Sequence, residues 1–249
     1  MRLALFLIFL IGATALARPI GNGDINQLQF QHGHRSGYKK AARSRKLPKR
    51  FLKKKYQKPK IKEWLLPYQS WDQKYRAFFK KQYGDTKLTF DPTMIVMHYT
   101  VVPTTAGTYR ALSRKKVGCH FMIGHDGKVY KLFPEDRRGR AAYGVDHVAL
   151  SIEMVAMTES DLLSRSKQVF SSFCLVRYLM AKHDISRRKV VAHYEVSEGK
   201  RKIPEYTDLA DKIYPDRYPP SSARLDPGPT YMAWLRSYLR KRPPSEDDL

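Results

Sequence analysis

From about residue 91 onward the chain alternates between short apolar runs and longer amphipathic stretches. "TMIVMH" (93–98) and "VALSIEMV" (148–155) are almost unbroken apolar runs, the pattern of strands buried on both faces. "KVVAH" (189–193) is a third. "CHFMIG" (119–124) and "KVYKLFP" (128–134) flank the triplet "HDG", which predicts a hairpin. Between the strands, "TTAGTYRALSRKK" (104–116) predicts a helix opened by a threonine cap and closed by basic residues. "SKQVFSSFCLVRYLMAKHDI" (166–185) sets Val169, Phe173, Val176 and Met180 on one helical face. "PTYMAWLRSYLRK" (229–241) starts with Pro, which suits the first helical turn. Strands alternating with helices predict an α/β class with a central mixed β-sheet flanked by helices.

Upstream of that domain, "EWLLPYQSWDQKYRAFFKKQYG" (63–84) spaces Trp71, Tyr75, Phe78 and Phe79 at helical intervals. An aromatic stripe of this kind predicts a short helix packed on the main domain. Still earlier, the pattern is lost. Between Gln31 and Lys62 lie fourteen Lys or Arg and no acid, against a formal charge of +24 for the whole chain. Residues 18–62 are expected to be a disordered basic arm. Residues 31–62 within it would hold the protein on an anionic polymer or surface of the cell envelope. No nucleic-acid-binding motif accompanies the charge, and nucleic acid is not expected as a partner.

The first residues change the cellular picture. Met1-Arg2 precedes an apolar run from Leu3 to Ile11, and Ala15-Leu16-Ala17 supplies small residues at a cleavage site. Residues 1–17 therefore read as a secretory signal, with Arg18 the new N-terminus and no transmembrane segment afterwards. The expected location is outside the cytoplasm, in the periplasm, the cell envelope or the medium. The mature protein is expected to be a soluble monomer. Cys119 and Cys174 are the only cysteines. One pair is no disulfide scaffold, and whether the two meet depends on a distance that sequence does not contain. The organisation is then signal peptide 1–17, basic arm 18–62, helical linker 63–90, α/β domain 91–242 and tail 243–249.

Candidate chemistry sits at strand ends. His98 closes one predicted strand and His193 another, and Asp226 stands in the stiff turn "DPGP" (226–229). Two imidazoles and one carboxylate form a tetrahedral zinc site with the fourth position open. Glu153 is a carboxylate on an otherwise apolar strand, where an unused charge is costly. Each residue also has an ordinary structural alternative. The histidines would be satisfied strand-end side chains, Glu153 would pair with a base, and Asp226 would serve only its turn.

The order of "IVMHYT", "CHFMIGHDGKVYKLFP", "ALSIEMV", "VVAHYEV" and "RLDPGP" resembles the zinc-dependent N-acetylmuramoyl-L-alanine amidases of the type-2 amidase and peptidoglycan recognition protein superfamily, over roughly Asp91 to Arg240. That resemblance implies one zinc ion per chain, held by His98, His193 and Asp226, with Glu153 as proton shuttle. It also implies that Arg224, where the family usually has Lys, stabilises the oxyanion. Peptidoglycan or its muropeptide fragments would be the substrate. A non-catalytic peptidoglycan-binding module is the alternative, although such modules usually lack part of the metal triad that this chain keeps. His120 and Tyr143 are placed as supporting or substrate-lining residues. Two features depart from the family pattern. "AAYGV" (141–145) replaces a "WHAG"-like segment, and residues 194–225 separate His193 from Asp226 by more than compact members have.

Overall fold

The computed structural model describes residues 46–197, 225–245 and 249. The signal segment 1–17, the arm as far as 45, Arg224 and most of the 194–225 insertion lie outside the described residues.

The sheet has six strands: β1 (Ile61–Glu63), β2 (Met94–Tyr99), β3 (Phe121–Ile123), β4 (Val129–Lys131), β5 (Ala149–Met154) and β6 (Val190–Ala192). Their order is β1-β4-β3-β5-β2-β6. Strands β3, β5, β2 and β6 run the same way, β4 folds back on β3 as the expected hairpin, and β1 runs parallel to β4. The mixed sheet of an α/β protein is thus observed. The central strands β2 and β5 are buried on both faces for nearly their whole length, which explains why they read as continuous apolar runs.

Helices cover both faces. They are α1 (Lys49–Lys53), α2 (Asp72–Tyr83), α3 (Thr105–Lys115), α4 (Glu159–Ser164), α5 (Ser166–Lys182), α6 (His193–Ser197) and α7 (Pro229–Lys241). One face carries Ile95, Met97, Leu150, Ile152 and Val190 against α5 and α7, whose Phe173, Val176, Leu235 and Leu239 complete the larger core. The other face carries Met122 and Leu132, with Trp71, Tyr75 and Phe79 brought to it by α2 and the turn before it. The aromatic stripe is therefore core, as its spacing predicts. Thr104 caps α3 as expected, its Oγ1 accepting from the Gly107 amide at 3.0 Å. Cys119 and Cys174 are both buried and are not joined by a disulfide.

The expected boundary at residue 62 is corrected. Residues 46–62 are not a disordered arm. Phe51 of α1 is fully buried, with its ring 5.4 Å from that of Phe173 and 5.8 Å from that of Trp234. Leu47 joins the same core, and Ile61–Glu63 forms the edge strand β1. Two apolar side chains anchor this segment while its many cations remain at the surface. The surrounding charge hid them from a reading by composition.

Candidate metal centre

Three of the sequence candidates converge. His98 is the penultimate residue of β2, and His193 follows β6 directly. The expectation that His193 ends a strand is refined, since it is the first residue of α6. Asp226 lies in the loop that leads to α7. The His98 Nδ1 and His193 Nδ1 atoms are 3.0 Å apart, and Asp226 Oδ2 is 3.2 Å from the first and 3.1 Å from the second. These are three contacts among three atoms from segments remote in sequence. Neutral imidazoles do not satisfy such a triangle among themselves, because each Nδ1 either donates or accepts. Donors held about 2.0–2.2 Å from a tetrahedral zinc ion stand some 3.3 Å from one another, so the observed triangle has the dimensions of one face of that tetrahedron. The donor set fits zinc, and the fourth face is left to water or substrate.

Parallel pairing places the fourth candidate. His98 is in register with Glu153 on the neighbouring strand β5, and Glu153 is in register with Met122 on β3. Side chains in register on parallel strands project from the same face, at the inter-strand spacing of about 4.8 Å. All these residues sit at the carboxyl ends of their strands, where sheets of this class expose their chemistry.

The electrostatics agree. Burial would push the Asp226 carboxyl up, but the facing His193 and His98 imidazoles hold it well below the usual carboxylate range. Asp226 is thus kept in the form that ligates a cation. Asp146 is buried nearby and pushed up to about 6 by desolvation. The amides of Ala141 and Ala142, which donate to its Oδ1 at 2.9 and 2.7 Å, oppose that rise, as do Arg140 and His98.

The loop holding Asp226 is braced from several sides. The Tyr194 amide, next to His193, donates to the Asp226 carbonyl at 3.1 Å. Glu159 Oε1 accepts from the amides of Thr230 and Tyr231 at 2.6 and 2.9 Å, which satisfies the first turn of α7 with a negative charge. Gly228 has φ +98°, and a Cβ there would come within 2.3 Å of the Glu159 carboxyl carbon. Glu195 accepts from the Ala192 amide at 2.8 Å and pairs with Arg236 of α7, joining the helix that follows His193 to the helix that follows Asp226. Sequence reasoning missed Glu159, Glu195 and Asp146. Glu195 carried a faint signal, an acid three residues after the strand end, as in a capping box. Glu159 carried none.

Two expected residues fall elsewhere. His120 is fully buried. Its Nδ1 accepts from the Ser151 amide at 3.0 Å and its Nε2 donates to the Arg137 carbonyl at 2.9 Å, so it staples β3 to β5 and lines no surface. Desolvation lowers its pKa to about 4, which keeps it neutral. The Tyr143 hydroxyl donates to Gln82 Oε1 of α2 at 2.8 Å, and its ring stands 6.2 Å from that of Phe78. Those contacts attach it to the helix that covers the sheet.

Residues 88–208 match the family model described as N-acetylmuramoyl-L-alanine amidase. The match includes His98, Glu153 and His193, and ends before Asp226. No curated protein matches the chain. Among solved structures, the endolysin amidase LysCS from Clostridium intestinale URNW is 25% identical, over 64% of this chain and 98% of its own, with a TM-score of 0.44. The amidase LysC from Clostridium intestinale URNW is 26% identical over 62% of this chain and 97% of its own, with a TM-score of 0.42. The hydrolase AmiA of Staphylococcus aureus is 14% identical over 76% of this chain and 89% of its own, with a TM-score of 0.46. The segment 88–208, with its two histidines and its strand-borne glutamate in place, is thus matched by the N-acetylmuramoyl-L-alanine amidase family model.

Proposed function

We propose that the protein is an exported zinc hydrolase that cleaves the amide between the lactyl group of N-acetylmuramic acid and the L-alanine of the peptidoglycan stem. The observation that carries this reading is the 3.0–3.2 Å triangle of His98, His193 and Asp226 with Glu153 in register beside His98. His98, His193 and Asp226 would hold zinc, one ion per chain. When bound, zinc supplies Lewis-acid polarisation of a carbonyl and lowers the pKa of water to about 7.

The chain's own residues supply the rest. Glu153 accepts the proton of the attacking water at a carboxylate oxygen and passes it to the leaving amine nitrogen. The Glu159 and Glu195 contacts keep Asp226 and His193 in one orientation, so that little reorganisation is needed during reaction. Arg224 would add positive charge where the oxyanion develops. Export is carried by the leader at residues 1–17, and peptidoglycan is the partner that follows from the family.

The test is mass spectrometry of muropeptides after digestion of purified sacculi. The expected products are glycan strands with free lactyl groups and stem peptides with a free L-alanine amine. Sacculi that are bound but left intact would instead support the non-catalytic binding module. Cleavage within the stem peptide would identify a peptidase and overturn the assignment.

A further inference from the structure

Away from the metal centre, α1 and α7 form the walls of a groove of about 610 Å³. Its walls carry Lys46 and Lys49 from one segment, and Arg240 and Lys241 from the end of α7. No acidic residue lines it. All four cations are exposed, and among the described residues none has an ion-pair partner. The groove is not uniformly polar. Leu47 and Leu52 contribute apolar surface from one side and Ala233 from the other. At its inner end Arg236 is already engaged by Glu195, so the groove begins on the same helix that carries the Asp226 loop and runs outward along it. From Ala233 to Lys241 this helix rises about 12 Å.

Four exposed cations line the walls of one groove. Like charges held together repel, and a concave surface with low-dielectric walls concentrates their field. That arrangement is relieved by an anion. Apart from Arg236, the rest of the lining, Leu47, Leu52, Ala233 and Ser237, is uncharged, which suits a polymer whose phosphates are separated by neutral units better than a dense array of carboxylates.

We propose that the groove between α1 and α7 is a binding site for a linear polyol-phosphate polymer, with Lys46, Lys49, Arg240 and Lys241 contacting successive phosphates. The site is separate from the amide-cleaving centre, and its occupancy does not require turnover. It would keep the protein on a phosphate-bearing envelope polymer while the metal centre acts on neighbouring peptidoglycan.

The experiment compares three full-length proteins: wild type, the variant K46Q/K49Q/R240Q/K241Q, and the control K74Q/K81Q/K87Q/K115Q. The control removes the same number of charges outside the groove. The probe is poly(glycerol phosphate) of defined length, titrated by calorimetry between 50 and 200 mM salt. Four phosphate contacts contribute a slope of about −3 to log affinity against log salt, or roughly a 60-fold loss over that range. The groove variant should lose that slope and bind at least tenfold more weakly at the low-salt end, while the control stays near wild type. Hydrolysis of a small soluble muropeptide should be equal in all three. Equal loss in both variants would reduce the groove to general charge and overturn the proposal. Equally tight, groove-dependent binding of single-stranded DNA of matched charge would overturn the polyol-phosphate specificity.

Discussion

His98 and Glu153 face the same side of the sheet, in register on adjacent parallel strands. His98 belongs to the triangle with His193 and Asp226 and Glu153 does not, so the proposed ligand and the proposed proton carrier are set side by side by backbone pairing alone. The arrangement separates two roles that mutation can test independently.

Replacing Glu153 by Gln keeps the shape and removes the proton acceptor. Turnover of a muropeptide should fall 10²–10⁴-fold, the usual loss for a general base. Zinc content by elemental analysis should remain about one per chain. His193→Ala should do the reverse, losing the metal together with activity. Full zinc retention in that variant would rule out the proposed ligand set.

Gly228 and Glu159 set the Asp226 loop. Gly228→Ala introduces a Cβ at φ +98° within 2.3 Å of the Glu159 carboxyl carbon, so strain and a steric clash act together. A destabilisation of about 1–3 kcal/mol is expected. Glu159→Gln removes the charge while keeping an oxygen for the α7 amides, and should cost less. Denaturant melts of the two variants check the order, and zinc titrations should show weaker metal binding in the same order.

Truncation distinguishes the arm from the domain. Deleting residues 18–45 spares Phe51 and strand β1. Deleting 18–62 removes buried Phe51 and strand β1, and the domain should fail to fold stably. Phe51→Ala isolates the main contact, with an expected loss of about 3–5 kcal/mol. A stable 63–249 fragment would contradict this account.

Glu135 supplies a pH-dependent contribution outside the His98, His193 and Asp226 triangle. Burial alone would raise its pKa, but the bonds it accepts from His183 and Lys182, at 2.7 and 3.0 Å, lower it from 4.5 to about 2. Folding lowers the pKa, so the stabilisation is present above pH 4.5 and is lost as pH falls towards 2. Glu135→Gln should therefore destabilise at pH 7 by up to about 3 kcal/mol, and by progressively less at lower pH. Urea midpoints at pH 7 and pH 3 measure the difference. An equal loss at both would mean that the ionised pair contributes nothing.

Much of the molecule was legible without coordinates. The buried strands β2 and β5 announced themselves by unbroken apolar runs, because strands covered on both faces have no polar side to alternate with. Thr104 and Pro229 marked helix starts through local chemistry that needs no distant partner. The order of the motifs suggested which histidines and which aspartate would share a metal. What local pattern could not supply was every contact that spans the fold. Phe51 lies in a run of cations and reaches the core only because Phe173 and Trp234 stand opposite it. Glu159 caps a helix that begins seventy residues later, and Arg236 finds Glu195 across the space between two helices. Sequence determines the propensity of each segment, since propensity is set by neighbours along the chain. The triangle of His98, His193 and Asp226 and its braces were decided by tertiary packing, because they depend on distances between segments that only the folded sheet brings together.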